Sequence, residues 1–93
     1  MTNLSMEVKS LHKVEGNTRI KAFADVAILD LLLIKGVRIV EGKHGLFVSM
    51  PREQGKDGQW YPIVFPLSGS LKHLLDEAVL RAYSRPERLD NNT

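Results

Sequence analysis

Ser70 and His73 come nearest, in residue type and spacing, to a pair capable of nucleophilic catalysis. Acyl transfer needs a serine, a base and an orienting acid in contact, and residues three apart on a helix are neighbours. Ser70, however, follows Gly69 at the predicted beginning of a helix, where a serine commonly accepts a backbone N–H. The chain also has no cysteine nucleophile. We therefore interpret Ser70 as a helix cap beside a surface histidine and predict no enzymatic activity.

Metal and cofactor sites are not predicted either. The histidines at 12, 44 and 73 lie in three different predicted elements, without the HxxH or HExxH spacing of metal-binding helices. The absence of cysteine excludes disulfides and thiolate metal sites. Several glycines lie in predicted hairpin connections and not between a strand and a helix, as a phosphate-binding loop would require. They are Gly42, Gly45, Gly55 and Gly58.

Basic side chains are the remaining candidates for a functional site. The chain has thirteen Lys and Arg against eleven Asp and Glu, and its net charge of +2 is too small for a dedicated nucleic-acid-binding surface. The excess lies in residues 35–67, with five basic and three acidic side chains. A solvated surface explains this excess as well as a binding site does. If phosphates are bound, they need accessible cations. The candidates are Lys43, His44, Arg52, Lys56, Lys72, Arg81 and Arg85.

Arg81 and Arg85 lie four residues apart, so a helix places one a turn above the other. Like charges at this spacing repel, which favours an anion between them. Alternatively, Glu77 pairs with Arg81 and both belong to a solvated helix face. Trp60 and Tyr61 border the basic loop and could stack on a base, or they could be core or dimer-interface aromatics.

Alternating apolar and polar residues predict strands over most of the chain. The clearest alternation predicts one apolar strand face, which consists of Ile20, Ala22, Ala24, Val26 and Ile28. Residues 26–34 are apolar at both parities, which predicts a strand covered on both faces with a bend near Asp30, or else a buried helix. Pro51 ends a strand, and Pro62 argues for an edge position or a bulge. The predicted strands are residues 6–14, 19–29, 34–41, 45–50 and 60–65, with a polar loop at 52–59.

One amphipathic helix is predicted near the end of the chain, because apolar residues recur at the helical spacing. Ser70 is its predicted N-cap. Pro86 marks its end, since the residue before a proline avoids helical dihedral angles. The apolar stripe consists of Leu71, Leu74, Leu75, Ala78, Val79 and Ala82.

These elements predict an α+β fold, in which an antiparallel sheet of about five hairpin-connected strands carries one C-terminal α-helix. One helical stripe covers only one side of a sheet, so the other side, especially around 26–34, would face water in a monomer. Such an apolar patch usually marks an interface, and the commonest oligomer is a two-fold dimer. Alternatively, strand twist and the tail cover the patch. The predicted interface residues are Val26, Ile28, Leu31, Leu33 and Trp60.

A chain of 93 residues predicts a single domain, with 1–5 as an extra N-terminal segment and 86–93 as a polar, flexible tail. The first ten residues lack the apolar core of a signal peptide. The most apolar run, 26–34, contains Asp30 and is too short to cross a bilayer. We therefore expect a cytoplasmic protein without membrane insertion.

Residues 37–51 have the sequence VRIVEGKHGLFVSMP. This segment closely resembles the bacterial stage V sporulation protein G (SpoVG) family of septation regulators. The resemblance continues through Asp57-Gly58, Pro62 and Pro66-Leu67 into the helical segment DEAVLRAY at 76–83, and it includes the MEV start at Met6. Nearly the whole chain is thus covered, and the G..GLFV.MP signature is specific.

The resemblance implies a small dimeric protein with an antiparallel sheet and a C-terminal helix, without enzymatic activity or a required cofactor. It implies a role in asymmetric septation during sporulation, or broader gene regulation in bacteria that form no spores, with binding of DNA and in some members RNA. The loop here carries Glu53 and Gln54 and is less basic than in better-known members, which implies weaker DNA binding.

Two hypotheses follow. The first is a homodimeric regulator of septation and cell division that binds DNA, or RNA, through basic loop and helix residues. The second is a protein-interaction module that acts through a septal or regulatory protein partner, without direct nucleic-acid binding.

Overall fold

The structure, a computed structural model, describes residues 5–85 and contains six strands and one helix in this range. The α+β arrangement of an antiparallel sheet with one C-terminal helix was predicted and is confirmed. The predicted flexible tail at 86–93 and residues 1–4 lie outside the described residues. The elements are β1 (Met6–Lys13), β2 (Ile20–Ile28), β3 (Leu32–Gly42), β4 (Gly45–Ser49), β5 (Arg52–Gln54), β6 (Trp60–Pro62) and α1 (Gly69–Ser84).

The core lies between the helix and one side of the larger sheet. Strands β1 to β4 form this sheet in chain order, and all three pairings are antiparallel. The helix buries Leu75 and Val79 against it. Strand β2 contributes alternate residues to the core, with the parity that the sequence predicts. The core residues are Ala22, Ala24, Val26, Val37, Ile39, Val48, Met50, Leu75 and Val79.

The other side of this sheet faces away from the helix, and we call it the open face. It carries the residues of β2 whose parity is opposite to that of the core, beginning with Phe23. Directly paired residues of neighbouring strands point to the same side, so the register identifies a row that crosses all four strands of the open face. The row consists of His12, Phe23, Arg38 and Ser49.

The helix begins with a serine cap that is not the predicted one. Ser68 has extended dihedral angles (φ −140°, ψ 154°), and its Oγ accepts a hydrogen bond from the Leu71 N–H at 3.1 Å. Ser70 lies inside the first turn, so the prediction that it caps the helix is wrong. The predicted end is confirmed, because the helix ends at Ser84 and Arg85, which precedes Pro86, has an extended ψ of 143°.

Replacing Ser68 with alanine is expected to lower the free energy of unfolding by about 1 kcal/mol, because the Leu71 N–H loses its acceptor. Ser70→Ala is the matched control and should change it by less than about 0.5 kcal/mol. Urea unfolding followed by circular dichroism measures both values. A larger loss from Ser70→Ala than from Ser68→Ala would contradict the assignment of the cap.

The apolar run at 26–34 forms a hairpin, with a complete reversal where the sequence predicts only a bend. Strand β2 ends at Ile28, and the Leu31 N–H donates to the Ile28 carbonyl at 2.9 Å. Leu29 and Asp30 have positive φ angles of 55° and 56°, which is uncommon outside glycine. The reversal leaves an apolar surface exposed, which we call the leucine tip. It consists of Leu29, Leu31, Leu32 and Leu33.

The second sheet is a separate hairpin of two short strands. The segment 52–59, predicted as a loop, contains β5, and β6 ends at Pro62 and not at the predicted Phe65. The Ile63 N–H then donates to the Pro51 carbonyl at 3.1 Å and closes the hairpin. Pro62 is tolerated because both strands of a two-stranded sheet are edges, as the sequence predicts. Within residues 5–85, the helix is neither long nor apolar enough to span a bilayer.

Candidate nucleic-acid interface

A groove of about 780 Å³ runs between β1 and the C-terminal half of the helix. Strand β1 is at one edge of the larger sheet, so the groove is open along one side of that strand. Its lining includes four Lys and Arg side chains against two carboxylates, and we call it the basic groove. The charged residues of the lining are Lys9, Lys13, Arg81, Arg85, Glu7 and Glu15.

The structure places both arginines in this groove, Arg81 in the last turn of the helix and Arg85 as the residue that follows its end. Glu77, the alternative partner of Arg81, instead lies with its Oε2 3.3 Å from Nε2 of His73. Among residues 5–85, neither arginine forms a salt bridge. Residues four apart lie about 6 Å from each other on a helix. Two guanidinium groups at that separation can bind one phosphate together or two phosphates of one strand.

Two lysines of β1 complete the basic groove. The ammonium group of Lys13 lies 5.1 Å from the centre of the Tyr83 ring, a cation–π contact that holds it beside the helix. Lys9 pairs with Glu7 at 3.3 Å, and both side chains are about half exposed or more. Such exposed pairs contribute little to stability, so Lys9 can exchange the carboxylate of Glu7 for a phosphate. The sequence did not single out either lysine, because nothing local to β1 shows that it lies next to the helix.

The other predicted phosphate-binding residues are not in the basic groove. Lys43 and His44 form the two-residue turn between β3 and β4, and both are exposed. Arg52 is on β5 and Lys56 is in the turn that follows, also exposed. Lys72 is nine residues before Arg81, about 13 Å along the helix, and its ammonium lies 2.6 Å from Asp76. Lys72 is therefore the least available of the seven candidates.

The predicted interface residues occupy different environments. Val26 is completely buried in the core against the helix side of the sheet, so its assignment to an uncovered surface is corrected. The cause is parity, because alternate residues of the apolar run point to opposite sides. Ile28 is half-buried against the core. Leu31, Leu33 and Trp60 are 84%, 47% and 54% exposed, and Leu31 and Leu33 belong to the leucine tip.

Comparison with known proteins identifies the chain. The SpoVG family model matches residues 1–85. This chain belongs to the SpoVG family. A similar protein from Archaeoglobus fulgidus, named "Putative septation protein SpoVG", is 38% identical over 77 residues, which are 83% of this chain and 91% of that protein. The resemblance seen in the sequence is thereby confirmed.

Two further SpoVG relatives carry the same name. The protein from Macrococcus caseolyticus is 29% identical over 83 residues, which cover 89% of this chain and 72% of the relative. The protein from Symbiobacterium thermophilum is 33% identical over 78 residues, which cover 84% of this chain and 56% of the relative. The shared name refers to septation and to no chemical reaction.

The residues considered for catalysis have structural contacts in this SpoVG chain. Ser70 is exposed in the first helical turn, and His73 approaches Glu77. No hydrogen bond joins Ser70 to His73 in the described range. Residues 5–85 also contain no group of three or more His, Cys, Asp or Glu side chains that could hold a metal ion. The expectation of a protein without enzymatic activity or cofactor stays a prediction.

The β5–β6 hairpin of this SpoVG chain is held by side-chain hydrogen bonds to one carboxylate. The Tyr61 hydroxyl donates to Oδ2 of Asp57 at 2.5 Å, and the Gln59 N–H donates to Oδ1 at 3.0 Å. Both hydrogen bonds lower the pKa of Asp57 below its usual 3.8. The bond from the Tyr61 hydroxyl has the larger effect and the bond from the Gln59 N–H the smaller. The same hydrogen bond raises the pKa of Tyr61 above its usual 10.0.

We expect the order of this hairpin to fall at both pH extremes. The lowered pKa of Asp57 means that its contribution is present above 3.8 and is lost as the pH falls through the folded value. The raised pKa of Tyr61 means that its contribution is present below 10.0 and is lost as the pH rises through the folded value. Both groups are exposed, so the effect should be local and small. Chemical shifts of the Gln59 amide and the Tyr61 ring measure it. An acid transition of the same size in Asp57→Asn would contradict this account.

Proposed function

We propose that this SpoVG-family protein is a non-enzymatic regulator of septation, cell division and gene expression, which acts as a homodimer and binds DNA or RNA through basic helix and loop residues. The basic groove is the observation that carries the proposal. The septation role is supported by the name that the relatives share.

The charge of the basic groove is suited to a polyanion. Arg81 and Arg85 make no salt bridge in the described range. Of the two lysines in the same groove, Lys9 makes an exposed ion pair with Glu7, and Lys13 makes a cation–π contact with Tyr83. Lys and Arg side chains of this kind bind nucleic acid by replacing its condensed counterions. Because the net charge of the whole chain is only +2, the concentration of cations in one groove matters more than the total.

The homodimer is supported by the leucine tip. Its four leucines are 47% to 84% exposed, next to one another along the chain. A soluble protein rarely leaves such a cluster in water, and a two-fold axis would place the same surface of a second copy against it. A dimer would also present two basic grooves, and binding of one nucleic acid by both would strengthen the complex by multivalency.

Fluorescence anisotropy with labelled duplex DNA and RNA at two salt concentrations tests nucleic-acid binding. Binding through phosphate contacts should weaken steeply as salt rises, because counterion release then contributes less. Sedimentation velocity at micromolar concentration tests the homodimer. A binding curve insensitive to salt, or no binding to any of these molecules, would contradict the first part, and a monomer would contradict the second.

A protein-interaction function is the second candidate, and exposed apolar residues after β6 favour it. Ile63, Phe65 and Leu67 are 55%, 66% and 95% exposed, whereas Val64 between them packs against the core. This alternation presents one apolar edge of the segment to solvent, where a partner protein can bind. Recovery of one stoichiometric septal or regulatory protein, with no binding of nucleic acid, would favour this function over the first.

A further inference from the structure

The open face of the larger sheet carries two exposed phenylalanines on either side of an arginine. Phe23 on β2 and Phe47 on β4 are 39% and 47% exposed. Phe23 pairs directly with Arg38 on β3, and Phe47 pairs with Val40, two residues further along that strand. Aromatic rings exposed on one face of a sheet form an apolar patch, and such patches usually mark a binding surface.

The ring of Phe47 is supported by the backbone of the neighbouring strand. A Cβ atom at Gly42 would stand 2.9 Å from Cε1 and 3.3 Å from Cδ1 of this ring, which is closer than van der Waals contact. The glycine therefore allows the ring to lie over β3. One part of the ring rests on the protein, and about half of the side chain is open to solvent. A ring that is held but uncovered is suited to stacking on a planar group.

Arg38 has no carboxylate partner in the described part of the chain. It is half-buried in the row between Phe23 and Ser49, and it forms no salt bridge or side-chain hydrogen bond with residues 5–85. A guanidinium group without a carboxylate is available to a phosphate.

The carboxylate of Asp25, also on this face, is already bound elsewhere. Its Oδ2 accepts from the Ser10 hydroxyl at 3.1 Å and lies 3.9 Å from the Lys35 ammonium. Its Oδ1 accepts from the Gly36 N–H at 3.3 Å. The Asp25 carboxylate thus has its own hydrogen-bond donors and its own cation, and Arg38 is not among them.

We infer that the open face binds single-stranded nucleic acid, with unpaired bases stacked on Phe23 and Phe47 and a phosphate bound by Arg38. In a duplex each base is covered by its neighbours, so only unpaired bases can stack on a protein ring. Stacking on aromatic side chains accepts any base, because every base has a π face. Four-stranded sheets with exposed aromatic residues are a known architecture for this kind of binding.

The separation of the two rings determines the path of the bound nucleic-acid strand across the sheet. Phe23 and Phe47 are two strands apart and offset by about two residues, which puts their Cα atoms about 12 Å apart. Stacked neighbours in a nucleic-acid strand are about 3.4 Å apart. The two rings would therefore hold bases that are splayed and not adjacent, with the backbone passing near Arg38 between them.

Two of the predicted phosphate-binding residues adjoin this surface at one end. Lys43 and His44 form the turn next to Gly42, over which the Phe47 ring lies. The Lys43 ammonium adds positive charge beyond the ring, and His44 adds ring N–H and N groups that can hydrogen-bond to a phosphate or a base. The open face thereby gives these two residues a function that the basic groove does not.

This inference rests on the proposed nucleic-acid binding. It specifies which form of nucleic acid the open face binds. The basic groove contacts phosphates, which duplexes and single strands both carry, whereas the open face requires unpaired bases. The two surfaces are therefore distinguished by the ratio of single-strand affinity to duplex affinity.

The test uses the full chain with Phe23→Leu/Phe47→Leu, which keeps apolar side chains and removes both rings. Anisotropy is measured with one mixed sequence as single-stranded DNA, single-stranded RNA and duplex DNA. Affinity for both single strands should fall by about tenfold or more, and duplex affinity should change by less than about twofold. Phe23→Tyr/Phe47→Tyr should retain single-strand affinity. Phe65→Leu is the matched control, since it removes an exposed ring outside the sheet.

Arg38→Gln is the second variant and keeps the test decisive if the leucine variant does not fold. It should weaken single-strand binding. The slope of log affinity against log salt should become less steep by about 1, because one phosphate contact is lost. Unchanged single-strand affinity in a folded leucine variant and in Arg38→Gln would overturn the inference. If the protein still bound duplex DNA, the proposal for the basic groove would stand. If the unaltered protein binds no nucleic acid, both proposals fail. Loss of the dimer with unchanged single-strand affinity would assign the open face to contact between copies, which also overturns the inference.

Discussion

Replacing Arg81 and Arg85 together with alanine is expected to weaken binding of duplex DNA on the order of 100-fold. Each arginine contributes a charge-assisted contact to phosphate of about 1.5 kcal/mol, and two such contacts amount to about 3 kcal/mol. The slope of log affinity against log salt should become less steep by about 1.8, because two counterions fewer are released. Anisotropy titrations over a range of salt concentrations measure both quantities.

The matched control is Lys35→Ala/Lys72→Ala, which lowers the net charge equally outside the basic groove. Neither Lys35 nor Lys72 lines the basic groove, and the Lys72 ammonium already lies 2.6 Å from Asp76. Duplex affinity should change much less in this control than in Arg81→Ala/Arg85→Ala. Equal losses in the two double variants would show that binding follows net charge and not the groove.

Replacing Leu31 and Leu33 together with glutamate is expected to convert the proposed dimer to a monomer. A two-fold axis repeats each change in the second copy, so four apolar side chains are lost from one interface. Burying them contributes on the order of 5 kcal/mol in total, which corresponds to a weakening of several thousandfold. The added carboxylates also repel one another across the axis. Sedimentation velocity over a range of protein concentrations measures the dissociation constant.

The control for the leucine tip is Leu74→Glu, which places the same new side chain on the exposed part of the helix. Leu74 is 46% exposed, close to the 47% of Leu33, and glutamate is a good helix former. This variant should remain a dimer. A dimer that survives Leu31→Glu/Leu33→Glu with unchanged affinity would contradict the interface, and the exposed segment after β6 would then be the surface to change next.

Local patterns predicted the elements well where the pattern is complete within one element. The alternation of Ala22, Ala24 and Val26 identified the buried side of β2, and the stripe through Leu75 and Val79 identified the buried side of the helix. Both patterns follow from the geometry of the chain itself, since side chains repeat every second residue in a strand and about every 3.6 residues in a helix.

The patterns failed where neighbours in space decide between similar alternatives. Ser68 and Ser70 flank Gly69, and only the path of the chain entering the helix makes Ser68 the cap. The reversal at Leu29 and Asp30 contains no glycine or asparagine, the residues that usually predict a tight turn with positive φ angles. It is imposed by the pairing of β2 with β3, whose contacts outweigh the cost of two positive φ angles.

The amino-acid order alone determined the family, the α+β class, the buried parity of β2 and the amphipathic helix, because each depends on residues that are close along the chain. Only the tertiary structure decided that Lys9 and Lys13 lie across a groove from Arg81 and Arg85, and that Phe23 and Phe47 stand on either side of Arg38. These groups are separated by many residues, and their meeting depends on strand order, register and the side on which the helix packs. Such long-range pairings are set by the burial of the common core, and a local pattern does not contain them.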